Sequence, residues 1–140
     1  MNATAGWTCP SCGRQFARRG QGHVCAEAMS LDEYFATALP HEQPVFAAVF
    51  EYLRSLGPIH VEPVGVGIFL KQRGSFVELR PKTKWVAMSF PMPRRVRHSR
   101  IIRKPIETGL AIYHVANLRT PDDLDEDLRD LLAESYDFAD

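Results

Sequence analysis

All three cysteines of this chain fall between Cys9 and Cys25. Cys9-Pro10-Ser11-Cys12-Gly13 opens the cluster, and ten residues separate Cys12 from His23-Val24-Cys25. Three thiolates and one imidazole make a closed tetrahedral donor set for a structural zinc ion, so Cys9, Cys12, His23 and Cys25 are the predicted ligands. Two cysteines spaced by two residues aim both sulfurs at one point from a tight knuckle. Gly13 supplies the left-handed backbone such a turn needs. His23 and Cys25 are one residue apart, closer than the three-to-five spacing of common fingers. A regular strand would put them on one face about 6–7 Å apart, so a short turn at Val24 is expected, with Trp7 and Phe16 packing over the site. An odd number of cysteines leaves one unpaired in any disulfide scheme. The N-terminus carries no apolar signal stretch, and the expected compartment is the reducing cytoplasm. Four protein ligands leave no open position, so the zinc is structural and contributes on the order of 10 kcal/mol to folding this segment.

The length of 140 residues suits one core plus a small attachment, with boundaries at 1–29 for a zinc finger of three cysteines and one histidine and 30–140 for a small α+β domain. No run of about 18 apolar residues is present, which excludes a helical membrane span. Ser30-Leu31-Asp32-Glu33 is a capping box that starts a short helix at Leu31, ended before Pro40. A second helix is predicted from His41 to Leu56, with Pro44 in its first turn and an apolar stripe of Val45, Val49, Leu53 and Leu56 beside Phe46 and Phe50. Gly57-Pro58 stops it. Strands are expected at Ile59–Val64, an edge or irregular strand because it holds Pro63, and at Val66–Lys71. Phe76–Arg80 and Trp85–Phe90 are expected to form one hairpin, and Ser99–Ile106 and Leu110–Val115 another. A last helix is predicted behind Thr120-Pro121-Asp122-Asp123, burying Leu124, Leu128, Leu131, Leu132 and Tyr136. Tight hairpins imply an antiparallel sheet. The predicted fold is a zinc knuckle followed by a two-layer α+β domain, with about five antiparallel strands and helices on one face.

The formal net charge of zero conceals a separation. Lys71 to Lys104 holds eleven Lys or Arg against one acid, and Glu107 to Asp140 holds two Arg against ten acids. Within the basic half, Arg94, Arg95, Arg97, Arg100, Arg103 and Lys104 follow one another with no acid between them. Cations at that density neutralise phosphates and release counterions. Phe76, Glu78 and Arg80 share a strand face, and with Trp85 they suggest a base-stacking platform. Arg14, Arg18 and Arg19 would add to the same field. The competing reading is that the basic strand faces the acidic final helix in intramolecular ion pairs, with Phe76 and Trp85 as core or dimer contacts.

Catalytic signatures are sparse. The chain has no G-x-S-x-G elbow and no G-x-x-x-x-G-K-[ST] loop. Gly65-Val66-Gly67 lacks the third glycine of a dinucleotide fingerprint and reads as a flexible or closely packed strand start. His60 and Glu62 share a strand face and could act as an acid–base pair, but a polar sheet edge is the favoured account, since only two residues of the constellation such a site requires are in view. His114 reads as a satisfied, half-buried histidine. The acids of the last helix are explained by capping and the helix dipole, which argues against a carboxylate-metal nuclease.

Taken together, Trp7-Thr8-Cys9-Pro10-Ser11-Cys12-Gly13-Arg14-Gln15-Phe16, Gln21-Gly22-His23-Val24-Cys25 and Ser30-Leu31-Asp32-Glu33-Tyr34-Phe35 resemble the N-terminal arrangement of small bacterial proteins in which a finger precedes the domain of unknown function 5655 family. Gly67-Ile68-Phe69-Leu70-Lys71, Phe76-Val77-Glu78-Leu79-Arg80 and the closing Asp122-to-Tyr136 segment are similar as well. The resemblance supports the four metal ligands and a compact α+β domain, and it brings no catalytic residues.

The sequence therefore predicts a zinc-stabilised binding module rather than an enzyme. Nucleic acid is the leading ligand, held on phosphate by Arg94, Arg95, Arg97, Arg100 and Arg103. A protein-interaction or self-associating module, with a protein partner or a homodimer, is the alternative. An enzyme using His60 and Glu62 is the third reading.

Overall fold

A computed structural model describes residues 6–10, 13–16, 19, 29–72 and 75–139. The predicted ligands Cys12, His23 and Cys25, and Arg18, lie outside the described residues. Two short strands, β1 (Trp7–Thr8) and β2 (Gln15–Phe16), pair antiparallel, Trp7 opposite Phe16. The turn between them is closed by the Gly13 amide on the Cys9 carbonyl (2.8 Å) and the Cys9 amide on the Arg14 carbonyl (2.9 Å). Gly13 has φ +73°, the left-handed backbone expected there.

The helices begin where local chemistry starts them. α1 (Leu31–Phe35) is opened by the predicted box: Ser30 Oγ accepts from the Glu33 amide (3.1 Å), and Glu33 Oε1 accepts from the Ser30 amide (3.2 Å). α2 (Glu42–Leu56) buries Val45, Phe46, Val49 and Leu53 at helical spacing, with Phe46 and Phe50 stacked at 5.6 Å. The final helix departs from expectation. Thr120, Pro121 and Asp123 form a capping box, but it closes only a 3-10 turn (Pro121–Asp123). α3 (Glu126–Ala139) starts afresh behind Asp125, whose Oδ1 accepts from the Leu128 amide at 2.8 Å. A second capping residue five positions later let the chain bend once more before the long helix.

Six strands form the main sheet: β3 (His60–Val64), β4 (Gly67–Lys71), β5 (Ser75–Pro81), β6 (Val86–Met92), β7 (Ile106–Thr108) and β8 (Ala111–Leu118). All neighbours are antiparallel, in the order β3-β4-β5-β6-β8-β7. The sheet has one strand more than expected. β3 lies at an edge, as Pro63 foretold. The expected strand Ser99–Ile106 does not form, since only Ile106–Thr108 pairs. The residues before it run as a loop joining β6 to β7, with Pro93 and Pro105 in it. β8 then folds back between β7 and β6, so the chain order and the sheet order part here.

Alternate residues explain the core. Ile68, Leu70, Val77, Leu79, Val86, Met88, Phe90, Met92, Ala116 and Leu118 pack with the buried sides of α2 and α3 in one cluster. Leu128 and Leu132 are fully buried in it, and Ser135 Oγ donates to the Pro91 carbonyl. Phe76 joins this core at 2% exposure, edge-to-face with Tyr136, so it cannot serve as the exposed stacking platform expected of it. The other sheet face carries His60, Glu62, Phe69, Lys71, Glu78, Arg80, Ser89, Tyr113 and Val115 by the same alternation and register. Among the described residues no helix is long and apolar enough to cross a membrane.

Candidate functional site

The five arginines predicted to hold phosphate all sit in the loop between β6 and β7, not on a strand. Two backbone contacts hold that loop beside β8. His114 is fully buried, and its Nε2 accepts from the Val96 amide (3.1 Å) while its Nδ1–H donates to the Ile112 carbonyl (3.0 Å). Burial pushes the His114 pKa down, with Arg95 adding to the effect, so the neutral ring is the structural form. Further along, the Asn117 amide donates to the Arg100 carbonyl (3.0 Å), which covers the edge of β8 that short β7 leaves vacant.

Held there, the loop faces the start of α3. Arg94 makes a forked pair with Glu134 (Nε 3.0 Å, Nη2 2.7 Å), Arg95 reaches Glu107 (3.1 Å) and Arg100 reaches Asp123 (2.7 Å). His98 takes the Arg100 amide on Nδ1 (2.9 Å) and so donates from Nε2 to Asp125, 3.0 Å away. The Leu128 amide, then His98, hold Asp125 below the usual carboxylate range. Arg94, Arg95 and Arg100 are thus not bare phosphate ligands. Acids of α3 and its approach neutralise Arg94 and Arg100, as the competing reading of the charge pattern expected, and Glu107 of β7 neutralises Arg95. Arg97, Arg103 and Lys104 remain exposed, and no acid among the described residues lies within ion-pair distance of them. Arg95, Arg97 and Arg103 border an open concavity of about 710 Å³.

The outer sheet face holds a second charged group. Glu62, 3% exposed, receives Arg14 Nε (2.9 Å) and Lys71 Nζ (2.9 Å) on Oε1, and the Gln15 amide (2.8 Å) on Oε2, with His60 Nε2 3.2 Å away. Burial raises the Glu62 pKa, but the hydrogen bonds from His60, Gln15, Arg14 and Lys71 outweigh it and hold the carboxyl well below the usual carboxylate range. Lys71, 2% exposed, also donates to the Gln15 carbonyl (2.7 Å) and lies 4.1 Å from the centre of the Phe16 ring. The Arg14 guanidinium sits over Phe16 and Phe69.

This is neither the solvated polar edge nor the acid–base pair that His60 and Glu62 suggested. A carboxylate saturated by two cations and an amide has no free lone pair aimed at a substrate. It is the seat on which β2 rests. Arg14 is accordingly turned inward and adds nothing to a surface field. The sequence carried a signal for this seat: Glu62, Phe69 and Lys71 alternate onto one face of paired strands. Nothing in it pointed to Arg14 as their partner.

Of the predicted metal ligands, Cys9 is described. It is buried beside Phe16, with Trp7 packed on them and the Trp7 and Phe16 rings 6.1 Å apart. Among the described residues no group of three or more His, Cys, Asp or Glu side chains could hold a metal. The expected turn at Val24 lies outside the described residues.

No curated protein and no solved structure matches the chain. A family profile does: Domain of unknown function (DUF5655), over residues 31–139, from α1 through the six-stranded sheet to the end of α3. That span covers most of the chain and every element of the α+β domain, and the protein belongs to the DUF5655 family.

Proposed function

We propose that this protein is a non-enzymatic, zinc-binding module that binds nucleic acid through the loop between β6 and β7. The observation that carries the reading is the exposed trio Arg97, Arg103 and Lys104, which has no acid partner among the described residues. Arg94 and Arg95 extend it. Their pairs with Glu134 and Glu107 are exposed and screened by solvent, so a phosphate can replace the carboxylate at little cost. Arg100 is the weakest member, because it is half-buried and pairs with the capping Asp123. The test is anisotropy of a labelled mixed-sequence duplex across a salt series. Affinity should fall steeply with salt, and Arg97→Gln, Arg103→Gln and Lys104→Gln together should flatten the slope by about 0.9 for each phosphate no longer neutralised. No binding at low salt, or an unchanged slope in the triple variant, rejects the reading.

The zinc part rests on the Cys9-x2-Cys12 and His23-x-Cys25 spacing, and the Gly13 turn behind Cys9 is consistent with it. Elemental analysis should find one zinc per chain, lost in Cys9→Ser. Protein prepared without chelator that carries no zinc sinks this part.

A second reading, self-association, is favoured by one cluster. Ile102 (79% exposed), Ile106 and Leu110 (92% exposed) project around edge strand β7, a position from which a second copy could extend the sheet. Light scattering over a concentration series separates monomer from dimer, and Leu110→Lys should return a dimer to monomer.

A further inference from the structure

Two hollows lie side by side on the outer sheet face. The first, about 260 Å³, is lined by Phe69, Tyr113 and Ile106, with core residues Phe76 and Val77 at its floor, and Glu78 and Ser89 are its polar groups. The second, about 270 Å³, is bordered by three cations, Arg80, Lys82 and Arg103. Glu78, Ser89 and Ile106 line both, so the two share a wall. Together they reach the size of small-ligand sites, roughly 300–1,000 Å³.

The two halves ask for different chemistry. The rings of Phe69 and Tyr113 accept a flat π-system, while one carboxylate and one hydroxyl can meet its amino or hydroxyl groups. The Arg14 guanidinium lies over the Phe69 ring, 4.9 Å from its centroid, and helps fix its position. The second hollow asks for an anion. Arg80 is tied to Glu78, but Lys82 and Arg103 are exposed and pair with no acid among the described residues. A planar ring joined to an anion across a short bridge is the outline of a nucleotide.

We propose that this face is a nucleotide-binding site, with the base against Phe69 and Tyr113 and the phosphate on Lys82 and Arg103. The same unit can arrive as a free nucleotide or as one residue of a single strand. A base inside a duplex is stacked and paired, and cannot enter. The inference rests on the nucleic-acid reading at one point, since Arg103 borders both this site and the loop concavity.

The test uses the full zinc-replete chain with three probes: a short single-stranded oligonucleotide, its duplex, and AMP with inorganic phosphate as its control. The single strand should bind about tenfold tighter than the duplex, and Tyr113→Leu should remove that preference, leaving duplex binding as it was. Lys82→Gln, an exposed change that leaves the fold alone, should weaken single-strand binding severalfold. Equal affinity for both polymers, unmoved by Tyr113→Leu or Lys82→Gln, overturns the sheet-face site while leaving the loop's electrostatic binding intact. If neither polymer binds, the nucleic-acid reading falls and AMP decides this site. Amide shifts at Ser89 and Tyr113 that inorganic phosphate does not reproduce keep it as a free-nucleotide site, and their absence overturns it.

Discussion

Glu62 is a carboxylate out of water with Arg14 and Lys71 both at 2.9 Å, and the cost of disturbing such a group is set by what is left behind. Glu62→Gln keeps the shape but removes the counter-charge that two buried cations share, and should lower unfolding free energy by about 3–5 kcal/mol in a denaturant melt. Its pH dependence follows from sign. The folded state holds the Glu62 proton more weakly than the unfolded chain does. Its contribution is therefore complete above the ordinary carboxylate range and is lost as pH falls through and below that range. Thermal melts should show wild type losing stability from neutral pH to pH 3 more steeply than Glu62→Gln. Gly67 is decided by space instead. A Cβ there would lie 2.4 Å from the Leu79 carbonyl oxygen, across the β4–β5 ladder. Gly67→Ala should cost about 1–3 kcal/mol, measured the same way. Of the two meanings the glycine pair offered, close packing is therefore the one Gly67 has.

The elements show where local signals suffice and where they compete. Ser30 and Glu33 specify the start of α1 because both partners of the box lie within three residues. Thr120 and Asp123 gave an equally good signal, and it proved true of a single turn only, because Asp125 offered the next segment a cap of its own. Asp125→Ala should therefore shorten or fray α3 and cost about 1 kcal/mol, with the loss read from the far-UV signal and a melt. The basic loop had no periodicity to place it, and its position depends on His114. His114→Leu removes the acceptor of the Val96 amide, and leaving that donor unpaired should cost about 1–3 kcal/mol. Because burial lowers the His114 pKa, the unfolded chain takes up the proton first, so this anchor weakens as pH falls below the ordinary histidine range. The protection of the Val96 amide, its exchange rate taken relative to the intrinsic rate at each pH, should fall between pH 7 and pH 5.5 in wild type, and be low at both in His114→Leu.

Across the whole molecule, the charge separation along the chain is folded back on itself. The basic loop meets the acids around α3 and Glu107, and three of the five candidate arginines find partners there. These contacts are exposed or half-exposed, so they orient the loop more than they stabilise the protein. Arg94→Gln should leave the unfolding free energy nearly unchanged in a denaturant melt, against the large loss expected for Glu62→Gln.

The contrast marks what the sequence could determine alone. Caps, the α2 stripe, the edge placement of β3 and the turn at Gly13 are set by side chains a few residues apart, and spacing reveals them. Arg14 and Glu62 are separated by 48 positions, and β8 inserts between β6 and β7 against chain order. Which cations are neutralised and which remain bare, and which sheet face is left open, depended on such long-range pairings. Tertiary structure alone decided them, because the energy of a buried charge or a shared hollow depends on neighbours that no sequence spacing encodes.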